Sequence, residues 1–473
     1  MRGLLIFLLF TLVFVFSLHT FTSINQDIGR HLALGEIIWD NGDVPKTNLF
    51  SYTNPDFPFI NHHWLGEVFL YLGSVLAGLK GLIILKAVII TLAFALVFFS
   101  FYKKETVVFS VISGLISIFI LIERTDVRPE IFSFLFLGWY LFILFRCPNS
   151  KLIWTLPVIQ LIWVNTHIYF FLGPLIFLLF SAGRGLLVKS DRFLLILVGF
   201  LIFMVNLINP FGWQGTLYPL LAFQNYGYSI VENQGPFFLK VWGYPWLTTY
   251  ALFLGIIFVA LSFLFNLKNL GKNTFEFSLF MVAVILSFKM IRNYPIFAMS
   301  LLPISIKNFY ESGIEIKNFK NLFSLAVLVV IFIFAAMTNQ IYKEAGLGRR
   351  FGLLVPSGVQ AAVDFVRENN LRGPIFNNFD VGSFLIWKLP KEKVFIDGRP
   401  EAYPADFIQN VYIPMQEEPE MWEKYSKEYG INYVFWLYTD ITPWSQKFVS
   451  FMIQNPDWPL AYRDGSVMIF VRK

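Results

Sequence analysis

"GLIILKAVIITLAFALVFFSF", residues 81–101, is long enough to cross a bilayer as one helix and contains neither an acidic residue nor a proline. About 20 apolar residues suffice for such a crossing. The reading of this stretch decides the fold, because similar blocks recur throughout the chain. They lie at 1–21, 106–122, 131–145, 152–164, 168–183, 193–208, 246–266, 275–288, 294–306 and 321–340. The expected architecture is mainly α, a polytopic transmembrane bundle of about eleven helices. Composition points the same way. Of 473 residues, 56% are hydrophobic and only 14% charged, with 56 Phe, whereas soluble domains carry about a quarter charged residues. The net charge of +6 comes with no basic stripe on a soluble segment, so nucleic acid is not an expected partner. A single cysteine, Cys147 in "RCPNSK", excludes an intramolecular disulfide framework. The opening "MRGLLIFLLFTLVFVFSLHTF" lacks an A-x-A-like cleavage site and reads as a retained first membrane helix.

Basic residues accumulate in cytoplasmic loops and so orient the helices. With Arg2 placed inside, strict alternation puts Lys103 and Lys104, Arg146 and Lys151, Arg184, Lys189 and Arg192, Lys268 and Lys272, and Lys307, Lys317 and Lys320 inside as well. The other side then receives residues 20–63, "IERTDVRPE" (122–130), "VNTHIYF" (164–170), the loop 209–245, "FKMIRNYP" (288–295) and everything after Gln340. This places the N-terminus in the cytoplasm of a multi-pass inner-membrane protein and the tail outside. "WLGEVFLYLGSVLAGLKG", ahead of the 81–101 block, is interrupted by Gly73, Gly78 and Gly81.

After Gln340 the apolar runs shrink to strand length: "GPIFNNF", "KVFIDGR", "NYVFWLY" and "SVMIFVRK". Helical patterns such as "SGVQAAVDFVRENN" and "EEPEMWEKYSKEYG" alternate with them, which predicts a small soluble α/β domain. The expected division is a membrane module, 1–340, with external loops 20–63 and 209–245, followed by an extracytoplasmic α/β domain, 341–473.

Ionisable groups near a bilayer are costly unless solvated, paired or functional. In "QDIGRHLALGEIIWDNGDVP", Asp27, His31 and Gly35 stand four apart and would share one helical face. Asp27 could deprotonate an acceptor hydroxyl, ligate a divalent ion, or simply cap the helix. "LIERTDVRPEIF" packs Glu123, Arg124, Asp126, Arg128 and Glu130 into one connection, more charge than a loop requires. Arg128 there could hold phosphate bidentately. "WVNTHIYFFLGP" offers His167 as a catalyst or a hydrogen-bonded structural residue. Lys289 and Arg292 in "FKMIRNYP" sit on the outward side against the positive-inside tendency, which implies an anionic partner such as a lipid-borne phosphate. His62, His63, Trp64 and Glu67 in "FINHHWLGEVF" read as an interfacial anchor. There is no P-loop, H-E-x-x-H, G-x-S-x-G or dinucleotide fingerprint.

The layout resembles the GT-C superfamily, polytopic glycosyltransferases that take sugars from polyprenyl-phosphate carriers on the extracytoplasmic side. The likeness rests on a first helix leading into a long external loop with an acid near its start, here Asp27. It rests also on the aromatic, glycine-bearing "HHWLGEVFLYLGSVLAGLKG" and on the soluble α/β tail. "RTDVRPEIF", "WVNTHIYFFLGP", "NPFGW", "RNYPIF", "NNFDVGSFLIW" and "VFIDGRPEAY" are similar to features of an uncharacterised bacterial group assigned to that superfamily. Gln26 stands where a second acid would flank Asp27.

The resemblance implies transfer of a sugar, hexosyl or pentosyl, from a polyprenyl-phosphate-linked donor to an acceptor of unknown identity. Asp27 is the expected base, and His31, Arg128, His167, Lys289 and Arg292 the expected substrate-binding residues. No cofactor is identified. If Asp27 holds a divalent metal ion, Glu36 or Asp126 would share it. Two other readings stay open: a lipid-sugar flippase, which calls for ionisable residues inside the helices, and a non-catalytic envelope assembly protein. In the last, "NNFDVGSF" and "FIDGRPEAY" form the partner surface, unless Asp397-Gly398 merely makes a turn and Asp380 caps a helix.

Overall fold

A computed structural model of the chain describes residues 1–20, 27–183, 192–221, 226–241, 246–316, 319–355 and 357–473. The chain divides into two compact units: Met1–Thr20, Leu76–Pro219 and Ile230–Leu354 form one, and Phe21–Val75, Leu220–Ser229 and Val355–Lys473 the other.

The first unit is helical. Its central helix, Tyr294–Ser312, is buried from Tyr294 to Phe309, and Val107–Leu121, Leu247–Phe265 and Thr274–Lys289 pack around it. Apolar residues occupy every side of it and its lysine, Lys307, is paired with Glu276, so it can be buried all round. Close approach comes from small residues, as helix packing in membranes favours. A Cβ on Gly255 would lie 2.9 Å from Leu301 and Phe297, and the hydroxyls of Ser113 and Ser305 meet at 2.8 Å. Phe109 stacks on Phe309 with ring centroids 4.0 Å apart. Elsewhere apolar side chains face outward: Phe193, Ile196 and Phe200 line one stripe of helix Arg192–Met204 and are all more than half exposed. Water would penalise such a stripe; lipid does not.

Among the described residues three helices are long and apolar enough to cross a membrane, Trp64–Phe101, Lys104–Arg124 and Leu247–Phe265. The pair Arg192–Leu207 and Gly212–Leu221, bent by 97°, makes a fourth. These are fewer than the eleven expected. Several remaining apolar helices are short: Glu130–Arg146 has 17 residues, Thr155–Thr166 and Leu172–Gly183 have 12 each. At 1.5 Å per residue they measure about 18–26 Å, less than the roughly 30 Å hydrocarbon core. The chain is nonetheless a mainly α membrane protein with a small sheet towards its C-terminus. Helix Trp64–Phe101 is broken at Gly78, whose φ of 65° is open to glycine and strained for other residues.

The second unit holds a four-stranded sheet in the order β1-β2-β4-β3. β1 (Ile375–Asn377) runs parallel to β2 (Tyr433–Leu437), while β4 (Val467–Val471) is antiparallel to β2 and to β3 (Leu460–Arg463). Strand residues alternate between two cores. Val434 and Trp436 join Phe376, Trp422 and Phe448 on one face, and Tyr433, Phe435 and Leu437 join Ile375, Phe384 and Leu385 on the other. Burial on both faces is why "NYVFWLY" is continuously apolar. "KVFIDGR" is not a ladder strand. The Phe395 N–H donates to Asn377 Oδ1 at 3.0 Å, and Val394 makes only an isolated bridge, to Ser51. β3 takes the place expected for it.

That bridge belongs to a wider union, and the units part elsewhere than at residue 340. The first loop folds with the tail: Asn48 Nδ2 donates to the Ala402 carbonyl at 3.0 Å, the Tyr52 hydroxyl to the Ile375 carbonyl at 2.9 Å, and Phe59 sits in the β-sheet core. Arg399, 1% exposed, fixes the union. Its guanidinium meets both Asp397 oxygens at 2.7 Å and Asn48 Oδ1 at 2.8 Å, and lies 4.7 Å from the centre of the Phe59 ring. Asp397 also accepts from the Tyr403 hydroxyl at 2.9 Å, so it does more than shape a turn.

Candidate functional site

In the first unit, helix Val107–Leu121 runs into the 3-10 turn Ile122–Arg124, and Pro129 precedes the next helix, Glu130–Arg146. Proline at this place costs no helical hydrogen bond, so the five charged residues are confined to a short turn. Arg124 forms a two-bond pair with Glu130. Arg349 donates to Asp126 and to the carbonyls of Ile122 and Glu123. Glu123 accepts from the Thr248 hydroxyl.

One carboxylate gathers the remaining cations. Glu232 Oε2 is 2.7 Å from Arg124 Nη1 and 3.4 Å from Arg292 Nη2, and its two oxygens lie 2.9 and 3.2 Å from Arg128 Nη1. Against the desolvation that would raise it, the three guanidiniums hold the Glu232 carboxyl well below the usual carboxylate range. Beside it is a cavity of about 90 Å³ bounded by Asp126, Val231, Ile291 and Arg349.

Arg128 and Arg292, both expected to bind substrate, are thus brought together. Lys289 ends its helix with an exposed side chain. His167 is 7% exposed and caps the turn Ile168–Phe171. Its Nδ1 accepts the Tyr169 N–H at 3.4 Å and contacts Ser133 Oγ at 2.9 Å. Because Trp163 Nε1 donates to Ser133 Oγ at 2.8 Å, the hydroxyl is free to donate to Nδ1, which leaves the ring proton on Nε2. The Tyr169 hydroxyl then donates to the Arg292 carbonyl, so the His167 turn supports the Arg292 turn. His167, expected to bind substrate, is held here by hydrogen bonds within the protein.

Lys86 escaped the sequence reading. It is fully buried, with Nζ 3.1 Å from the His19 carbonyl and 3.3 Å from both imidazole nitrogens. His19 Nε2 is 2.9 Å from Thr125 Oγ1. A lone lysine inside an apolar helix is itself a functional signal.

In the second unit Asp27 stands at the N-cap position of helix Ile28–Asn41. Ser383 Oγ donates to Asp27 Oδ1 at 3.3 Å, and Arg30 Nη2 is 3.7 Å from Oδ2. A Cβ on Gly398 would come within 2.8 Å of Oδ1, so glycine there makes room for the carboxylate. Asp380 and Glu401 are near enough to feel its charge. Asp380 itself is exposed in the first turn of helix Phe379–Lys388. His31 is 3% exposed, and its Nδ1 meets Glu67 Oε1 at 2.8 Å. Glu67 also receives Asn61 Nδ2 at 2.7 Å and Arg30 Nη1 at 3.5 Å. Burial and the Arg30 guanidinium draw the His31 imidazole below its usual range, despite Glu67. His31 therefore ties its helix to residues 61–67.

The proposed metal partners of Asp27 do not assemble. Glu36 is exposed and nine residues along the helix, on the opposite side by about 180° at 3.6 residues per turn. Asp126 belongs to the first unit, where Arg349 takes its carboxylate. Among the described residues no three His, Cys, Asp or Glu side chains gather to hold an ion. Gln26, with the basic junction at Arg184 and Lys189, lies outside the described residues.

No protein-family model matches the chain, and curated proteins offer no sequence match. Solved structures do match its fold. The archaeal oligosaccharyltransferase AglB from Archaeoglobus fulgidus, in complex with an inhibitory peptide and a dolichol-phosphate, superposes with a TM-score of 0.60 at 12% identity, over 92% of this chain and 69% of that one. The Archaeoglobus fulgidus oligosaccharyltransferase complex with Zn and sulfate gives 0.58 at 12% identity, over 99% and 73%. The chain has the GT-C fold, as the layout of its first loop and tail led one to expect.

Proposed function

We propose that this protein is an integral membrane glycosyltransferase that takes a sugar from a polyprenyl-phosphate-linked donor and passes it to an extracytoplasmic acceptor. The observation that carries the reading is the convergence of Arg124, Arg128 and Arg292 beside a cavity at the turns that end apolar helices. The similar AglB structure holds a dolichol-phosphate, the class of carrier such cations would recognise. In the reaction an acceptor oxygen attacks the anomeric carbon, the bond from that carbon to the phosphate oxygen breaks, and the phosphate departs with the electron pair. Fixed cations stabilise charge developing on the leaving group, a role for Arg128 and Arg292. Asp27 takes the acceptor proton, and Ser383 and Arg30 orient its carboxylate. No step is assigned to a metal ion, although a similar oligosaccharyltransferase was solved with Zn. The N-terminus is assigned to the cytoplasm and the second unit to the outer side.

A flippase would need ionisable residues deep within helices. Lys86 is the candidate for this, but its partners are His19, just past the end of helix Arg2–Ser17, and the turn at Thr125–Asp126. It belongs to the polar cluster at the helix ends, which favours one-sided chemistry. The test is transfer of labelled sugar from a polyprenyl-phosphate donor by the purified full-length protein in nanodiscs. Asp27→Asn is expected to cost about 10²–10⁴-fold in rate; full activity in that variant would falsify the assignment of the base.

A further inference from the structure

We propose that Arg124, Arg128 and Arg292 form an anion site whose resting occupant is the protein's own Glu232, and that a phosphate monoester binds there by displacing this carboxylate. The inference rests on the phosphate-binding reading above and adds the group that competes for the site.

Three features support displacement. The first is charge. Glu130 keeps its two-bond pair with Arg124 from the other side. With Glu232 withdrawn, Arg128 and Arg292 lose the carboxylate that they share, while Arg124 keeps Glu130. A phosphate monoester approaches two negative charges above its second pKa of about 6. The second is geometry. Glu232 brings two oxygens to three guanidiniums and reaches the third at 3.4 Å, the longest of the contacts. A terminal phosphate offers three oxygens, one for each. Arg292 Nε has no hydrogen-bond partner, so this guanidinium has capacity left.

The third is freedom of the side chain. Glu232 is 33% exposed and Arg292 32%, and the cavity of about 90 Å³ lies alongside. The backbone is held meanwhile, since the Ile291 N–H donates to the Gln234 carbonyl at 2.9 Å and Phe237 packs on Phe288. Rotation of one side chain is enough to exchange the anions. Charge-assisted bonds to a guanidinium are among the stronger ones available, so a covalently tethered competitor lowers the apparent affinity of any incoming phosphate.

The test is titration of the full-length protein in detergent with inorganic phosphate, with farnesyl phosphate and, as a control, with farnesol. Glu232→Gln is expected to bind phosphate about tenfold more tightly than the wild type at low salt, and Arg292→Ala to weaken binding in both backgrounds. A gain for both phosphates points to the phosphate group alone as ligand; a gain confined to farnesyl phosphate points to a lipid-borne one. Either supports displacement. Should Glu232→Gln bind no more tightly while Arg292→Ala still weakens binding, the competing role of Glu232 is overturned and the phosphate site stands. Absence of phosphate binding in every variant overturns the phosphate reading as well. Where Glu232→Gln fails to fold, Glu232→Asp keeps the charge but shortens the reach. It is expected to gain several-fold in phosphate affinity, and an unchanged affinity counts against the proposal.

Discussion

The two ends of the helices around Tyr294–Ser312 both carry buried charge, yet they are built differently. At one end Lys307 Nζ meets Glu276 Oε1 at 2.7 Å and Asn273 Oδ1 at 2.6 Å, with Glu311 at 3.5 Å. Asn266 and Asn273 in turn donate to Glu311 at 2.9 and 2.6 Å. Among the described residues one lysine serves two acids there, with neutral amides alongside. At the other end three arginines share Glu232, a guanidinium nitrogen is left over, and a cavity opens beside them. A network that exists to hold helices together can close on itself. The proposed phosphate site instead leaves three guanidiniums sharing a single partly exposed carboxylate.

The comparison can be broken at its closed end. Lys307→Met leaves Glu276 buried opposite an apolar chain and is expected to cost about 3–5 kcal/mol, read as a lowered thermal midpoint in detergent. Lys307→Met with Glu276→Leu should recover most of that loss, since removing both partners leaves no stranded charge. At the open end, Arg292→Ala removes a partly exposed guanidinium and should cost no more than about 1 kcal/mol in stability, while the Michaelis constant for donor rises about tenfold. A stability loss at Arg292 as large as that at Lys307 would erase the contrast.

A pH titration sharpens it. Burial, with Lys86 and Arg349 close by, holds the His19 imidazole well below its usual range. Thr20 and Thr125 bond to the ring, Tyr342 packs against it, and Asp126 acts on Lys86. The unfolded chain takes up this proton near pH 6.5, whereas the fold resists it. Stability from this group is therefore complete above about pH 6.5 and declines as the pH falls below that value. His19→Gln is expected to flatten that part of the stability profile. The smallest effect is reserved for an exposed pair in the second unit. Lys447 and Glu417 lie 3.0 Å apart with the lysine 60% exposed, and Lys447→Ala should change stability by less than about 1 kcal/mol.

Much of this was legible from local pattern. Apolar blocks marked the helices, and "LIERTDVRPEIF" announced a charged turn by holding more ions than a connection requires. "NYVFWLY" and "SVMIFVRK" are β2 and β4. The long-range part was not. Nothing near Asn48 signals that it will bond to Ala402, 354 residues away, so the first loop looked like part of the membrane module. "KVFIDGR" has the composition of a strand, but its hydrogen bonds go to the Asn377 side chain and to the first loop. Glu232 lies in a loop whose sequence gives no hint of importance. The clue was elsewhere, in the surplus of arginines at 124, 128 and 292 that needed a counter-charge. His31 looked like a ligand because it shares a face with Asp27. That face turns out to be where its helix packs, since a Cβ on Gly35 would lie 2.7 Å from Tyr71 Cβ.

The union of the first loop with the tail constrains everything between them. Residues 28–63 and 375–463 make one folded body held by Arg399, Asn48 and Tyr52, so the polypeptide must finish on the side of the bilayer from which residue 75 departs. The number of crossings between Leu76 and Leu354 is therefore even. That parity holds whichever of the short helices traverse the lipid and whichever turn back, and an insertion that added one extra pass would tear that body in two.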